Sequence, residues 1–230
     1  MTRRWITYSF ILSLTISLLW SPSVNAQSKS TKQQTEEQTD SVPLFNGISV
    51  SADIAGMIQY AVSDYGQFEG ALRVNLFDTY FPIVEIGLGK ASHDDVVTRI
   101  KYNSTAPYFR LGVDYNLMTD KHDAYRVYGG IRYAFTYFKY DISRPSLKDP
   151  IWGDDAPYGA EGVSCNYHWA EVVGGVDALI CGPLRMGWSI RYRKRLSHNE
   201  GDLGKVWYVP GFGKAGSSRL GMTFNVSISF

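Results

Sequence analysis

The most regular stretch of the chain is its last. From Ser218 to Phe230, apolar residues fill every second position: Leu220, Met222, Phe224, Val226, Ile228 and Phe230. Between them lie Arg219, Gly221, Thr223, Asn225, Ser227 and Ser229. Alternation with a period of two is the mark of a β-strand, whose successive side chains point to opposite faces. The pattern recurs upstream. Leu184, Met186, Trp188, Ile190 and Tyr192 oppose Arg185, Gly187, Ser189, Arg191 and Arg193. Phe109, Leu111, Val113, Tyr115 and Leu117 oppose Arg110, Gly112, Asp114 and Asn116. Tyr125, Val127, Ile131, Tyr133, Phe135 and Tyr137 share a face opposite Arg126, Gly130, Arg132 and Thr136. Phe68, Leu72, Val74 and Leu76 oppose Glu69, Arg73 and Asn75. Ile48, Val50, Ala52, Ile54 and Ile58 oppose Ser49, Ser51, Asp53 and Gln59. Two segments are less regular: Val84, Ile86 and Leu88 against Glu85, Gly87 and Gly89, and Ala170, Val172, Val176, Ala178 and Ile180 against Glu171, Gly175 and Asp177.

These segments predict eight strands and an all-β chain. The predicted connections alternate in length. Asp78-Thr79, the region of Met118 to Asp123, and Cys181-Gly182-Pro183 are short. Ala91 to Thr105, Ile142 to Ser164 and Ser197 to Ser217 are long, and a short link near Val62 to Gly66 breaks the trend. Short turns at one end and long loops at the other are expected of an eight-stranded antiparallel up-and-down β-barrel that crosses the outer membrane, with periplasmic turns and longer extracellular loops.

The chain ends refine this. Arg3 and Arg4, the apolar run Trp5 to Trp20 and Val24-Asn25-Ala26 read as a cleaved secretory signal over residues 1–26. Residues 27–43 are polar and without periodicity, so they read as a flexible extension. Within them Asp40-Ser41-Val42 resembles a bacterial periplasmic O-glycosylation site. The barrel is expected over 44–230. The 230 residues carry a net charge of +1, so charge gives no reason to expect nucleic acid as a partner.

Alternation alone does not say which face is inside, and a soluble lipocalin-like barrel carries its apolar face inward. Three features favour the membrane. The polar face is rich in Gly, Ser, Thr and Asn as well as Arg and Asp, which suits a narrow lumen. Aromatics lie near both ends of the apolar stripes: Tyr60, Phe68, Phe109, Tyr137 and Tyr192 at one end, Tyr80, Tyr115, Tyr125 and Phe230 at the other. Such rings prefer a membrane–water boundary. The chain also ends on an aromatic directly after an alternating strand.

On these residues, 47–230 resemble the small eight-stranded outer-membrane barrels of the OmpA/OmpX type, and also small outer-membrane barrel families of Bacteroides-like bacteria. The resemblance implies a location in a Gram-negative outer membrane. It implies contact with outer-membrane lipids and lipopolysaccharide, and insertion by the barrel assembly machinery with Phe230 as the assembly signal. No cofactor is implied.

An eight-stranded barrel is only wide enough inside for side chains. The expected inward charges are Arg73, Arg110, Arg126, Arg132, Arg185, Arg191 and Arg193, with Asp53, Glu69, Glu85, Asp114, Glu171 and Asp177. Buried charges must be paired or hydrated. They form either a salt-bridged plug, the leading reading, or a narrow anion-preferring path.

Candidate chemistry is sparse. His93, His168 and His198 are expected near the extracellular rim, where a Ser-His-acid set would support a lipid-modifying enzyme. No HxH or HExxH spacing supports a metal. Gly211-Phe212-Gly213-Lys214-Ala215-Gly216 fits GxGxxG, but it lies before a strand rather than a helix and reads as a flexible loop. Trp152, Tyr158 and Trp207 are loop aromatics that could meet a ligand. Cys165 and Cys181 bracket one predicted strand, roughly 50 Å apart at ~3.3 Å per residue, so no disulfide is expected between them.

Overall fold

A computed structural model describes residues 43–121, 123–148, 155–201, 204 and 206–230, with side chains outside 145–158. The expected signal (1–26), the expected extension (27–43) up to residue 42, His122 and Trp152 lie outside the described residues, as does the side chain of Tyr158.

The strands are β1 (Phe45–Asp53), β2 (Tyr65–Leu76), β3 (Tyr80–Asp94), β4 (Lys101–Asn116), β5 (Tyr125–Lys148), β6 (Asp155–Cys181), β7 (Leu184–Asn199), the short β8 (Tyr208–Val209) and β9 (Gly213–Lys214), and β10 (Ser218–Ser229). One helix, α1 (Ile54–Val62), follows β1. Strands β1 to β7 and β10 pair antiparallel with their neighbours and close into a barrel. The closing seam joins the two termini. Ser49 to Asp53 pair with Ser229 to Asn225, and Ile48 and Phe230 exchange backbone hydrogen bonds of 3.1 and 2.8 Å. Closure removes the sheet edges, which a membrane would leave without partners.

The exterior is apolar. Val84, Ile86, Leu111, Ile131, Val172, Val176, Ile190 and Met222 all point outward, and Ile131 and Leu220 are 68% and 74% exposed. A soluble barrel does not present such a continuous apolar face to water. The barrel is therefore of the transmembrane kind. On β5 the exposed rings of Tyr125 and Tyr137 stand roughly 30 Å apart along the axis, given ~3.3 Å per residue and a tilt of ~40°. That matches the height of an apolar band with an aromatic girdle at each edge.

The structure departs from the sequence-based expectation in three places. First, strand β1 stops at Asp53, and Ile54 to Val62 form α1. Asp53 caps the helix, accepting from the Ala55 and Gly56 amides at 3.1 and 3.2 Å. Ile54 and Ile58 fit an alternating strand, but a spacing of four also places them on one helical face. Pairing of β1 ends at Asp53–Asn225 on one side and Ala52–Gly70 on the other. Beyond that level α1 packs between β2 and β10.

Second, most of the expected long loops are strand. The β3–β4 connection is only 95–100, and β5 and β6 run on to Lys148 and from Asp155. In this extension the faces exchange character. Tyr102, Ala106, Tyr108, Phe138, Tyr140, Ile142, Cys165, Tyr167 and Trp169 point inward and are buried, while Asn103, Lys139 and Asp141 point outward and are exposed. Above the membrane band, water surrounds the barrel and the ordinary inside-apolar rule returns.

Third, the segment expected to be a flexible loop folds inward. Residues 206–215 carry the β8–β9 hairpin, and Tyr208, Val209 and Phe212 are buried in the same aromatic core.

Candidate functional site

Strand registry brings the inward charges into two layers. In the layer nearer the loop end, the Arg110 guanidinium donates to Glu69 and lies 3.2 Å from Glu85 and 2.9 Å from Glu171. Arg191 is 2.7 Å from Glu85, 3.2 Å from Glu69 and 3.7 Å from Glu171. Arg193 lies 3.4 Å from Glu171. The three glutamates thus face three arginines. Neighbouring rings complete the shell: the Tyr108 hydroxyl donates to Glu69 and the Trp169 indole N–H donates to Glu171, each at 2.7 Å.

Nearer the turn end the carboxylates are aspartates. Asp177 accepts from Arg126 and from Arg185 (3.1 Å), and lies 3.6 Å from Arg73. Asp114 accepts from Arg73 at 2.8 Å and from Arg132 at 3.0 Å. Arg132 links the layers, with its Nε 3.3 Å from Glu85. Asp53 is buried too, but its work is at the wall: beside capping α1 it accepts from the Phe224 amide at 3.1 Å. Charges this deep persist because each is matched by opposite charge and hydrogen bonds.

The β8–β9 hairpin sits on the upper layer. Arg110 donates to the Gly211 carbonyl at 2.8 Å and Arg193 to the Phe212 carbonyl at 3.0 Å. The Tyr102 hydroxyl donates to the Tyr208 carbonyl at 2.8 Å, and the Tyr208 hydroxyl to Gly66 at 3.2 Å. Gly211 has φ +79°, and a Cβ there would meet the Tyr108 ring at 2.5 Å. Only glycine allows both the left-handed turn and this approach. Charge network and hairpin together fill the barrel from within. Neither Tyr108 nor Phe212 stands out in the sequence. The signal that was there is Pro210-Gly211, a turn pair beside the aromatic Phe212.

The three histidines do not converge. His93 is on β3, stacked on Trp207 (centroids 4.2 Å apart) and 2.8 Å from Asp64. His168 is on the exterior of β6, where its Nδ1 lies 2.7 Å from the Tyr133 hydroxyl. His198 is on β7, opposite the inward Tyr167, and 3.6 Å from Glu200. His168 and His198 are thus on neighbouring strands but opposite faces, and β4 and β5 separate His93 from both. Among the described residues no cluster of His, Cys, Asp or Glu is arranged for a metal ion.

Other features frame the two ends. Cys165, within β6, is buried in the aromatic core, and Cys181 is exposed at the turn end of the same strand. At the turn end a cavity of about 310 Å³ is lined by Asn46, Asn75, Asp78, Lys121, Arg126 and Arg185 among others. Phe230 is 79% exposed at the same end. In the β3–β4 turn, hydrogen bonds from the Val97 and Thr98 amides hold the Asp95 carboxyl below its ordinary range.

Solved structures similar to this chain are outer-membrane proteins. Neisserial surface protein A is 13% identical, with 81% of this chain and 99% of that chain covered and a TM-score of 0.45. A major outer membrane protein of Thermus thermophilus is 14% identical, covering 80% and 98%, with a TM-score of 0.42. Ail, the attachment invasion locus protein of Yersinia pestis, is 11% identical, covering 80% and 99%, with a TM-score of 0.40. No curated protein matches the sequence. The architecture, eight antiparallel strands closed in a ring with an apolar exterior, is that of the small OmpA/OmpX-type outer-membrane barrels. Residues 7–230 match the family described as Domain of unknown function (DUF6048), and the chain belongs to that family.

Proposed function

We propose that this protein is an integral barrel of a bacterial outer membrane, exported by a cleaved signal over residues 1–26. Its turn end faces the periplasm and its loop end faces outward. Its role is structural or surface-binding, and it is not a conduit. The observation that carries this reading is the doubly filled lumen: paired charges across the membrane band, and an aromatic core with an inserted hairpin above them. An eight-stranded barrel has little interior to spare, and here side chains occupy it. In this reading Phe230, exposed beside the closing seam, serves the assembly machinery, and the apolar exterior meets outer-membrane lipids and lipopolysaccharide. The separation of His93, His168 and His198 weighs against a shared catalytic set.

The test is conductance of the purified full-length protein in planar bilayers, on samples whose insertion is verified by a heat-dependent shift in gel mobility. The expected result is inserted protein without unitary steps. Reproducible steps from folded protein would overturn the closed-lumen reading in favour of a narrow channel.

A further inference from the structure

The exterior of β3, β4 and β5 changes from apolar to polar along one rung of the sheet. Leu88 pairs with Pro107, and the exposed Tyr137 lies next to Pro107 in the same register. One step further towards the loop end, Lys90 pairs with Thr105. The register of β4 on β5, Ser104 with Tyr140 and Tyr108 with Thr136, places Lys139 across from Thr105 on its other side. Lys90, Thr105 and Lys139 are all outward and exposed. The two lysine Cα atoms are therefore about 10 Å apart, two inter-strand spacings, with a hydroxyl between them. Both ammonium groups can swing onto one anion held there.

The neighbouring carboxylates are engaged. Asp141, one outward position beyond Lys139, accepts from the Gly162 amide at 2.7 Å. Asp94 lies 3.6 Å from Lys101, and Asp64 lies 2.8 Å from His93. On the other flank, the Tyr60 ring of α1 lies 5.3 Å from the Lys90 ammonium and edge-on to Phe68. This places Lys90 at the border between ring and water, in a contact weak enough for an anion beside Thr105 to draw the ammonium across.

We propose that Lys90, Thr105 and Lys139 form a binding site for the phosphate of an anionic lipid headgroup in the leaflet at the loop end. The apolar rung of Leu88, Pro107 and Tyr137 lies directly beneath it, where the acyl chains of that lipid run. The choice of a lipid over a free anion rests on this adjacency, and the inference depends on the membrane-embedded reading above.

The full-length protein in detergent is offered an equimolar mixture of bis-phosphorylated lipid A and the same lipid with its phosphates removed, and retained lipid is counted by native mass spectrometry. Each basic residue near a phosphate-bearing surface contributes about fivefold in binding. The wild type is expected to retain the phosphorylated form, and the double variant K90Q/K139Q to lose roughly 30-fold of that preference. K90R/K139R is expected to keep it, which separates charge from disturbed folding. An unchanged preference in K90Q/K139Q would overturn the site. So would complete displacement of the lipid by millimolar inorganic phosphate, which would make it a free-anion site. Protein that stays in the aqueous phase without detergent would instead overturn the membrane reading itself.

Discussion

Arg110 is the most connected charge in the lumen, and its removal has a calculable cost. It is fully buried, faces Glu69, Glu85 and Glu171, and donates to the Gly211 carbonyl. Arg110→Met keeps much of the side-chain volume and removes the charge. Three glutamates are then left with Arg191, Arg193 and the Nε that Arg132 turns to Glu85 from its pairing with Asp114, so the upper layer is short of one positive charge in a low-dielectric interior. Breaking a buried ion pair from one side costs about 3–5 kcal/mol. Adding Glu69→Gln restores neutrality, and the amide oxygen can still accept from Tyr108. The two changes should therefore be non-additive, with a coupling of about 1–3 kcal/mol, and the double variant should be more stable than Arg110→Met alone. The assay is reversible denaturant unfolding of the barrel in lipid vesicles, read by tryptophan fluorescence, with Trp169 next to Glu171 as an internal reporter. A loss below about 1 kcal/mol for Arg110→Met, or strict additivity in the double variant, would refute the view that these charges act as one matched layer.

Two further outcomes are expected. Gly211→Ala forces a Cβ into the Tyr108 ring in a left-handed turn, at a backbone cost of about 1–2 kcal/mol; limited proteolysis should then cut between β7 and β10, where the wild type resists, and equal resistance would show that the hairpin tolerates the change. Asp53→Ala removes the cap of α1 and the acceptor of the Phe224 amide, so hydrogen exchange over 54–62 should accelerate and stability fall by about 1–2 kcal/mol. Exchange unchanged from wild type would mean that packing alone holds the helix.

The strands were readable because the membrane enforces a strict rule. Within the membrane band, outward residues of β4 and β10 meet lipid and inward ones meet a narrow lumen, so Leu111 against Arg110 or Met222 against Thr223 declares its face. The inward arginines and carboxylates could be named for the same reason. Their partners could not. That Arg110 meets glutamates from β2, β3 and β6 depends on registry and shear, which no local pattern encodes. The histidines show the converse limit: their chain positions near one rim left open whether they meet. The alternation of β6 sends His168 outward, and a register shift against β7 between Arg195 and Ser197 turns His198 inward.

Local pattern alone was enough for an all-β chain, alternating strands around a barrel, the sense of their faces and the sign of the charges within. Where the membrane band ends was decided by the tertiary structure: along β5 the apolar side chains change faces, outward up to Tyr137 and inward at Phe138, Tyr140 and Ile142, and only the assembled wall shows that the exterior passes from lipid to water at that level. It also decided that Ile54 to Val62 complete the wall as a helix, since spacings of two and four coincide there and Asp53 settles the choice by capping. Tertiary contacts alone brought Tyr208, Gly211 and Phe212 into the barrel. A buried hairpin is held by partners such as Tyr102 and Arg110, about a hundred residues away in the chain, and contacts at that distance leave no periodic trace.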